Sequence, residues 1–502
     1  MRGISNQPGN SQPTLASQAV FPAGSAAAGA VPAVVGQLRQ SFRVRDGVAL
    51  IVSNVIGVGI FTTPAIIAKL VPEPSAMLAL WIAGGCLALA GAMSYAQLGR
   101  MWPSAGGEYI YLSKAYGPTA GFLSGWTSLI AGFSGAVAAS AVGLVIYLGQ
   151  YFPALASDRS LFSIPFYVGA LTFSPRSLTA AFVIAVFAIL HACNLGAGKI
   201  TQNALALLIL GIAVVFCLAG FAAGNGSWSH FHAAHVPLRP VNCLLAFIPI
   251  MFTYSGWNAA SYIAEEMHDV RRAIGPALMI GTSLIVGLYG VLNALYLYAI
   301  PPAEMQKAIN VGDVAAHALF GVGRNFITPA LIIALLGAIS AMTIAGPRVY
   351  FAMSRDGAFI PSFARTSPRF GTPALAIVLQ ALWSVLLVTA GGFEQILNYT
   401  GFTILLSSGA AVAGLFVARR HELRSNPKAR SRMMAPAAFV VACFAIVVNA
   451  VVGAPKTALV GSVLIAAGLP VFYWSRRKRD ITLSPTLPVG DNSQLLGRSM
   501  PK

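Results

Sequence analysis

One stretch of the sequence combines an apolar run with residues that break a helix. Residues 46–70 are apolar enough to cross a bilayer, yet Gly57, Gly59 and Pro64 interrupt them near the middle. Backbone N–H and C=O groups freed at membrane depth are tolerated only where they face protein, water or a bound solute. Because the N-terminus of a half-helix attracts negative charge, we interpret this break as a binding site for an anionic group.

A second stretch repeats this pattern later in the chain. The segment Phe252-Thr-Tyr-Ser-Gly-Trp-Asn258 lies in the middle of the apolar run 241–265, where Gly256 and small polar residues again interrupt the helix. Two glycine-interrupted spans at matching places in two halves of a membrane protein are the best sequence indication of a transport site. The sequence therefore predicts that both breaks belong to one site.

The composition places the whole chain in a membrane. Of 502 residues, 57% are hydrophobic and 9% are charged, and the mean hydropathy is +0.74, whereas soluble domains carry about a quarter charged residues. The net charge of +18 could indicate nucleic-acid binding, but most Lys and Arg residues fall in loops on one predicted side. This positive-inside pattern predicts a multi-pass protein of the cell (inner) membrane, with both termini cytoplasmic and no nucleic-acid partner.

The hydropathy predicts an all-α fold of twelve transmembrane helices, of which helices 1 and 6 are broken. Counting from each break gives two sets of five spans with nearly equal lengths. Since five is odd, the second set must be inverted relative to the first, which predicts a 5+5 inverted repeat followed by two extra helices. The predicted domains are a disordered cytoplasmic tail (1–40), the first repeat (41–222), an outside loop (223–240), the second repeat (241–418), the last two helices (419–475) and a cytoplasmic tail (476–502).

Four motifs give the chain a resemblance to a known superfamily. They are Gly57-Val-Gly-Ile-Phe61, Pro103-Ser-Ala-Gly-Gly-Glu-Tyr109, the segment 252–258 followed by Glu265-Glu266, and Gly346-Pro-Arg-Val-Tyr-Phe-Ala-Met-Ser-Arg-Asp-Gly357. Together and in this order they resemble the amino acid–polyamine–organocation superfamily, and within it the L-type amino acid transporters and their bacterial relatives. The resemblance covers about residues 46–475. It implies a leucine-transporter-type fold with alternating access to a site between helices 1 and 6.

The resemblance also implies how an amino acid would bind. In the family, the substrate carboxylate meets backbone amides of the first break, and the ammonium meets carbonyls of both breaks. An amino acid is a zwitterion, and two opposed half-helix ends offer N–H groups to one pole and C=O groups to the other. The matching carboxylate positions are Gly57, Val58 and Gly59, and the matching ammonium positions are Val55, Ile56, Phe252, Thr253 and Ser255.

Charge and residue type give expectations for the part of the predicted site that would hold the substrate's side chain. None of the 14 acidic residues falls clearly at mid-membrane, and Glu108 is assigned to an inside loop. Because a cationic substrate would usually require a carboxylate at that depth, we expect neutral L-amino acids. Val58 stands where many relatives have Ser. Trp257 could line or gate the pocket or could simply pack, whereas Asn258 is favoured as a ligand because a buried amide needs partners.

The candidate coupling residues have both functional and structural interpretations. Some relatives have a Lys on helix 5 in place of a sodium ion. Here Gly196 occupies that position, and Lys199 lies three residues later, either as a coupling charge or as an ordinary positive-inside Lys. Ser340 and Thr343 could coordinate sodium or bond back to their own helix, and His191 could relay protons or simply pack. We expect an exchanger or a proton symporter; the alternative is a sodium-coupled amino acid or amine symporter of the same fold.

The residue types disfavour other functions and partners. No span supplies a metal cluster or a carboxylate dyad, so we expect no enzyme, metal or cofactor. His230, His232 and His235 in the outside loop are interpreted as solvated. A non-transporting amino acid sensor is a weaker alternative, since the tails are of low complexity.

Animal L-type relatives attach a heavy-chain glycoprotein through a Cys between spans three and four. Because 152–177 contains no Cys, we expect no disulfide-linked heavy chain and a monomer or homo-oligomer.

Overall fold

The structure, a computed structural model, describes residues 36–482 apart from 167–168, 233–236, 322, 392 and 454. These residues form a bundle of α-helices with one β-hairpin. The helices, in chain order, are α1 (Val44–Val55), α2 (Gly59–Leu70), α3 (Pro74–Met101), α4 (Glu108–Tyr116), α5 (Pro118–Thr127), α6 (Phe133–Leu148), α7 (Pro175–Cys193), α8 (Leu195–Ala223), α9 (Pro240–Thr253), α10 (Val270–Ala299), α11 (Pro302–Met305), α12 (Val311–Phe320), α13 (Gly323–Arg355), α14 (Ala374–Ala390), α15 (Phe393–Ala418), α16 (Arg420–Ser425), α17 (Pro427–Ser431), α18 (Met434–Gly453), α19 (Pro455–Ala466) and α20 (Gly468–Thr482).

Shorter elements complete the described chain. Strands β1 (Phe162–Phe166) and β2 (Gly169–Phe173) pair antiparallel, with Phe162 opposite Phe173. The 3₁₀ segments are Pro153–Ala156, Trp228–His232, Ala259–Glu266 and Pro361–Ala364, and one π-helical turn covers Ser128–Gly132.

Several helices are long and apolar enough to cross a membrane. Within the described residues there are seven such segments: α3, α5–α6, α7, α8, α10, most of α13, and Ala458–Ser475 across α19 and α20. The pair α1 and α2 makes an eighth if it is one broken span. Shorter apolar helices occur in α9, α12, α14, α15 and α18. The chain is therefore a helical, multi-pass membrane-type protein.

The first predicted break is confirmed. Helix α1 ends at Val55, α2 begins at Gly59, and their axes differ in direction by 49°. Ile56 is extended, with φ of −74° and ψ of 100°, so the α-helix cannot continue through it. Helix α1 packs against α8, α10 and α13, whereas α2 packs against α9. The break thus lies inside the bundle.

The second predicted break is also present, but the chain beyond it is not the α-helix that the sequence predicts. Helix α9 ends at Thr253, turns come next, and the chain then continues as the 3₁₀ segment Ala259–Glu266. Gly256 has a φ of +101°, and a Cβ there would lie 2.9 Å from the carbonyl oxygen of Asn54. Only glycine allows both this backbone conformation and this close approach. The second break therefore lies directly against the end of α1.

The membrane-length segment Pro118–Leu148 is not one continuous α-helix. The π-helical turn Ser128–Gly132 separates α5 from α6. Such turns are rare and occur often at functional sites. Ser128 and Gly132 both line the cavity at which the two helix breaks meet.

The ends of the described chain differ from the predicted domain bounds. The N–H of Gly36 donates to the carbonyl of Ala364 at 3.1 Å, and Leu38 is buried against Ala105 and Phe351. Gly36 and Leu38, within the predicted disordered tail, therefore contact the bundle, whereas 1–35 lie outside the described residues. Helix α20 extends into the predicted C-terminal tail, and 483–502 lie outside the described residues.

Two ion pairs join the second break to the end of α13. Arg348 donates from Nε and Nη2 to the two carboxylate oxygens of Glu266, at 2.8 and 3.2 Å, and both side chains are at most 1% exposed. Arg355 pairs with Glu265 at 2.7 Å, with about a quarter of each side chain exposed. Because a buried carboxylate requires a partner, the Arg348–Glu266 pair fixes how the 3₁₀ segment sits on α13.

We expect Arg348→Met to lower the free energy of unfolding by about 3–5 kcal/mol, because it leaves the Glu266 carboxylate buried without its cation. Arg355→Met is the matched control, and at its partly solvated pair the loss should be at most about 1 kcal/mol. The Tm of wild type and both variants in one detergent measures the difference. Equal Tm values for the two variants would contradict this prediction.

Candidate binding cavity

The two helix breaks meet at one cavity of about 420 Å³. Its volume lies within the range typical of small-molecule sites, about 300–1,000 Å³. Most of the wall is small or apolar, and among the described residues no Asp, Glu, Lys, Arg or His lines it. The lining residues are Asn54, Val55, Gly57, Val58, Gly59, Ser128, Gly132, Phe133, Ala136, Ala139, Ser140, Val142, Gly143, Ile146, Phe252, Thr253, Ser255, Gly256, Asn258, Tyr262, Leu335, Ala338, Met342 and Ile404.

Most residues predicted from the sequence line this cavity, but two do not. Ile56 is buried in the core and is not on the wall. Trp257 packs edge-on against Tyr95, with ring centroids 4.8 Å apart, and against Phe439. The Trp257 ring is therefore part of the packing behind the cavity, which is one of its two sequence interpretations.

The first break presents backbone donors to the cavity. Ile56 still donates its N–H to the last turn of α1, and Phe61 donates to the carbonyl of Val58. Between them, the N–H groups of Gly57, Val58 and Gly59 have no backbone acceptor among the described residues. Since all three residues line the cavity, these donors can serve an anionic group there.

The carbonyls at the two breaks are partly used by the protein itself. The hydroxyl of Tyr289 donates to the Val55 carbonyl at 2.8 Å. The Phe252 carbonyl accepts from both the backbone N–H and the hydroxyl of Ser255, at 3.0 and 2.6 Å. Because a carbonyl oxygen has two lone pairs, Val55 retains one for a ligand, whereas Phe252 has both engaged. Of the predicted ammonium contacts, the Val55 carbonyl is therefore better placed than that of Phe252.

Steric room distinguishes the two glycines of the first break. A Cβ added at Gly57 would meet no atom within 4 Å, whereas one at Gly59 would lie 3.0 Å from Thr253 Oγ1. The Thr253 hydroxyl also bonds the Thr63 hydroxyl at 2.7 Å, which links α9 to α2. Gly59 thus permits the close approach of the two broken helices, while Gly57 borders open cavity space.

Asn258 is a buried cavity residue whose amide is bonded to an acid that the sequence analysis placed elsewhere. Its Nδ2 donates to Glu108 Oε1 at 2.5 Å and to the Tyr262 hydroxyl at 3.2 Å. Glu108, assigned from sequence to an inside loop, instead begins α4 and is only 6% exposed. Hydropathy locates spans, but it does not show whether a residue between two spans is buried in the bundle.

Sequence reasoning also missed wall residues outside the two breaks. Tyr262 lies four residues after Asn258, between the two quoted parts of the third motif, and this one-turn spacing is a signal that could have identified it. Ser128 and Gly132 lie within a span that contains many Gly, Ala and Ser residues, so neither residue type nor spacing distinguishes them. Their position on the wall comes from the π-helical turn.

The candidate coupling residues on α7 and α13 bond within the protein. His191 Nε2 and Ser340 Oγ are 2.9 Å apart, and both side chains are buried. The Thr343 hydroxyl donates to the Ile339 carbonyl of its own helix at 2.7 Å. None of these three candidates is among the cavity-lining residues.

Lys199 lies near the start of α1, away from the cavity wall. Its Nζ donates to the Ser41 carbonyl at 2.9 Å and lies 3.9 Å from the carboxylate of Asp46. Asp46 is 1% exposed and also accepts from the Asn203 amide at 2.6 Å. Lys199 therefore contributes positive charge beside a buried carboxylate, where α8 meets α1.

Comparison with known proteins identifies the family of this chain. The family model described as amino acid permease matches residues 44–475. The human b(0,+)-type amino acid transporter 1 is 28% identical over 396 residues, which cover 76% of this chain and 76% of that protein. The human Asc-type amino acid transporter 1 is 24% identical, with 87% and 82% covered, and the mouse large neutral amino acids transporter small subunit 2 is 25% identical, with 88% and 83% covered. Since the family match spans both helix breaks and the cavity between them, the chain belongs to the amino acid permease family, within the amino acid–polyamine–organocation superfamily.

Proposed function

We propose that this permease is a secondary active transporter of neutral L-amino acids that works by alternating access. The main support is that two helix breaks meet at a cavity with no charged side chain on its wall among the described residues. Such a site suits a zwitterion, because helix-end N–H groups bind the carboxylate and carbonyl groups bind the ammonium. A cationic side chain would find no carboxylate on this wall to pair with.

The proposed contacts divide between the two breaks. The substrate carboxylate binds the N–H groups of Gly57, Val58 and Gly59. The ammonium binds the remaining lone pair of the Val55 carbonyl, with Thr253 and Ser255 as further acceptors on the wall. Phe252, which lines the cavity and is 41% exposed, is the proposed cover over the substrate.

We propose twelve spans for this chain. The eight membrane-length segments supply most of them, and α9 with its 3₁₀ continuation, α14, α15 and α18 supply the others. Spans one to five and six to ten form two inverted repeats, and the last two spans lie outside them. We propose further that both termini are cytoplasmic and that the chain lies in the cell (inner) membrane.

The coupling mode that we propose is exchange or proton symport. The hydroxyl of Ser340, the first sodium-ligand candidate, is engaged with His191, and that of Thr343 bonds back to its own helix.

The similar human and mouse proteins are amino acid transporters, and one is named for large neutral amino acids, which supports the substrate class. Because the segment 152–177 has no Cys, we propose no disulfide-linked partner and a monomer or homo-oligomer.

Purified protein in proteoliposomes should take up a labelled mixture of neutral L-amino acids. Uptake that requires vesicles preloaded with unlabelled amino acid identifies an exchanger, whereas accumulation in empty vesicles under an inward proton gradient identifies a proton symporter. An absolute requirement for sodium would contradict both modes. Uptake of lysine without any neutral amino acid would contradict the substrate class.

Gly57→Val should reduce uptake at least about tenfold, equivalent to losing one good hydrogen bond, because its side chain enters the cavity beside the carboxylate donors. The variant should still fold, since nothing lies within 4 Å of a Cβ at this position.

The matched control is Gly211→Val on the exposed face of α8, where again nothing lies within 4 Å. It should keep wild-type uptake, and both variants should elute as the wild type does in gel filtration. Normal uptake by a well-folded Gly57→Val protein would disprove the site assignment.

A further inference from the structure

The β-hairpin between α6 and α7 has one apolar face and one more polar face. Side chains that lie directly opposite each other in an antiparallel pair share a face, and the next pair along lies on the other face. The apolar face carries the opposed pairs Phe162–Phe173 and Ile164–Leu171, and the pair Ser163–Thr172 lies on the other face. The rings of Phe162 and Phe173 stack with their centroids 4.4 Å apart. The hairpin is therefore amphipathic.

The apolar face of strand β1 is left open by the described part of the chain. Strand β2 packs against α14 and α7, but the Phe162 side chain is 54% exposed and the Ile164 side chain is 51% exposed. In a water-soluble protein, the apolar face of such a hairpin packs on the core and the polar face meets water. An exposed apolar face in this protein therefore indicates an apolar neighbour outside the chain.

The hairpin is held at the end of a membrane-length helix. Helix α7 begins at Pro175, two residues after the end of β2. The Ser177 hydroxyl donates to the Thr172 carbonyl at 3.2 Å, and Arg176 forms an ion pair with Asp158 just before the hairpin. These contacts attach both ends of the hairpin to the first turn of α7. Its position relative to the bilayer is therefore set by the end of that span.

The surface around the hairpin continues into the bilayer. Leu178, Phe182 and Ile189 are exposed along α7, and exposed apolar side chains on a membrane-length helix face lipid. Between Arg159 and Arg176 the sequence contains no charged residue, so this segment offers no charge to a soluble partner. The neighbour that is both apolar and continuous with the surroundings of α7 is the bilayer.

We propose that the hairpin is a membrane anchor at the interface where α7 begins. The face of Phe162 and Ile164 lies on the lipid, and the face of Ser163 is turned toward water. Amphipathic helices lie in the interface plane in the same way, with the apolar face buried at the boundary between headgroups and acyl chains. The anchor holds the connection between α6 and α7 at the membrane surface, whatever substrate the protein carries.

The test uses benzoylphenylalanine, a photo-crosslinking amino acid, in place of Phe162, Ser163 or Ile164 in turn. Each full-length protein is reconstituted into vesicles of phosphatidylcholine and phosphatidylglycerol and irradiated, and the mass of the intact protein is measured. Positions 162 and 164 should give at least about fivefold more phospholipid adduct than position 163, because adjacent residues of a strand point to opposite faces.

The matched control is position 163 itself, since Ser163 is exposed on the same strand and differs only in the face it occupies. Benzoylphenylalanine in place of Phe182, which is exposed on α7, gives the yield expected for full contact with lipid. All four replaced side chains are exposed, so each protein should fold and elute as the wild type does in gel filtration.

Three results would overturn the proposal. One is a lipid adduct at position 182 without one at 162, and another is equal adduct at 162 and 163. The third is a crosslink from position 162 to a second copy in the vesicles, or to another protein in intact cell membranes, in place of lipid. None of these measurements requires transport, so a failure of the proposed function would leave this result unchanged.

Discussion

A broken helix inside an apolar bundle leaves backbone N–H and C=O groups with no water to satisfy them, and much of this structure compensates for two such breaks. The hydroxyl of Tyr289 satisfies part of the Val55 carbonyl, and the backbone and hydroxyl of Ser255 satisfy that of Phe252. Gly256 lets the second break contact the end of α1. Among the described residues, the N–H groups of Gly57, Val58 and Gly59, which have no backbone acceptor, belong to residues on the cavity wall. Because unsatisfied backbone N–H and C=O groups raise the free energy of an apolar bundle, the breaks direct these groups toward a solute.

The charged motifs are explained by the need to hold these breaks in place. Glu266 lies at the end of the 3₁₀ segment that follows the second break, and its pair with Arg348 anchors that segment to α13. The carbonyl of Glu266 also accepts the N–H groups of Ser41 and Phe42, just before α1. One acidic residue therefore connects the approach to the first break with the exit from the second. An apolar contact could not provide this specificity, because dispersion attraction has no preferred direction.

Part of the site could be predicted from the sequence, and the reasons for the failures are physical. Gly57 and Gly59 were identifiable because glycine in an apolar span is itself a signal of a broken helix. Trp257 was ambiguous, since an aromatic ring suits a pocket and a core equally well. Glu108 was assigned to a loop because it lies between two predicted spans. Only the fold shows that neutral donors such as Asn258 surround it.

The sequence by itself determined the membrane-type helical class, the two breaks and the family, because hydropathy, glycine interruptions and short motifs are local properties of the chain. The tertiary structure decided which of those residues share a cavity, that Ser128 and Gly132 line it through a π-helical turn, and that Glu108 contacts Asn258. These features depend on packing between segments that are distant in sequence. Such packing sets burial and hydrogen-bond partners, and neither can be read from a residue and its neighbours along the chain.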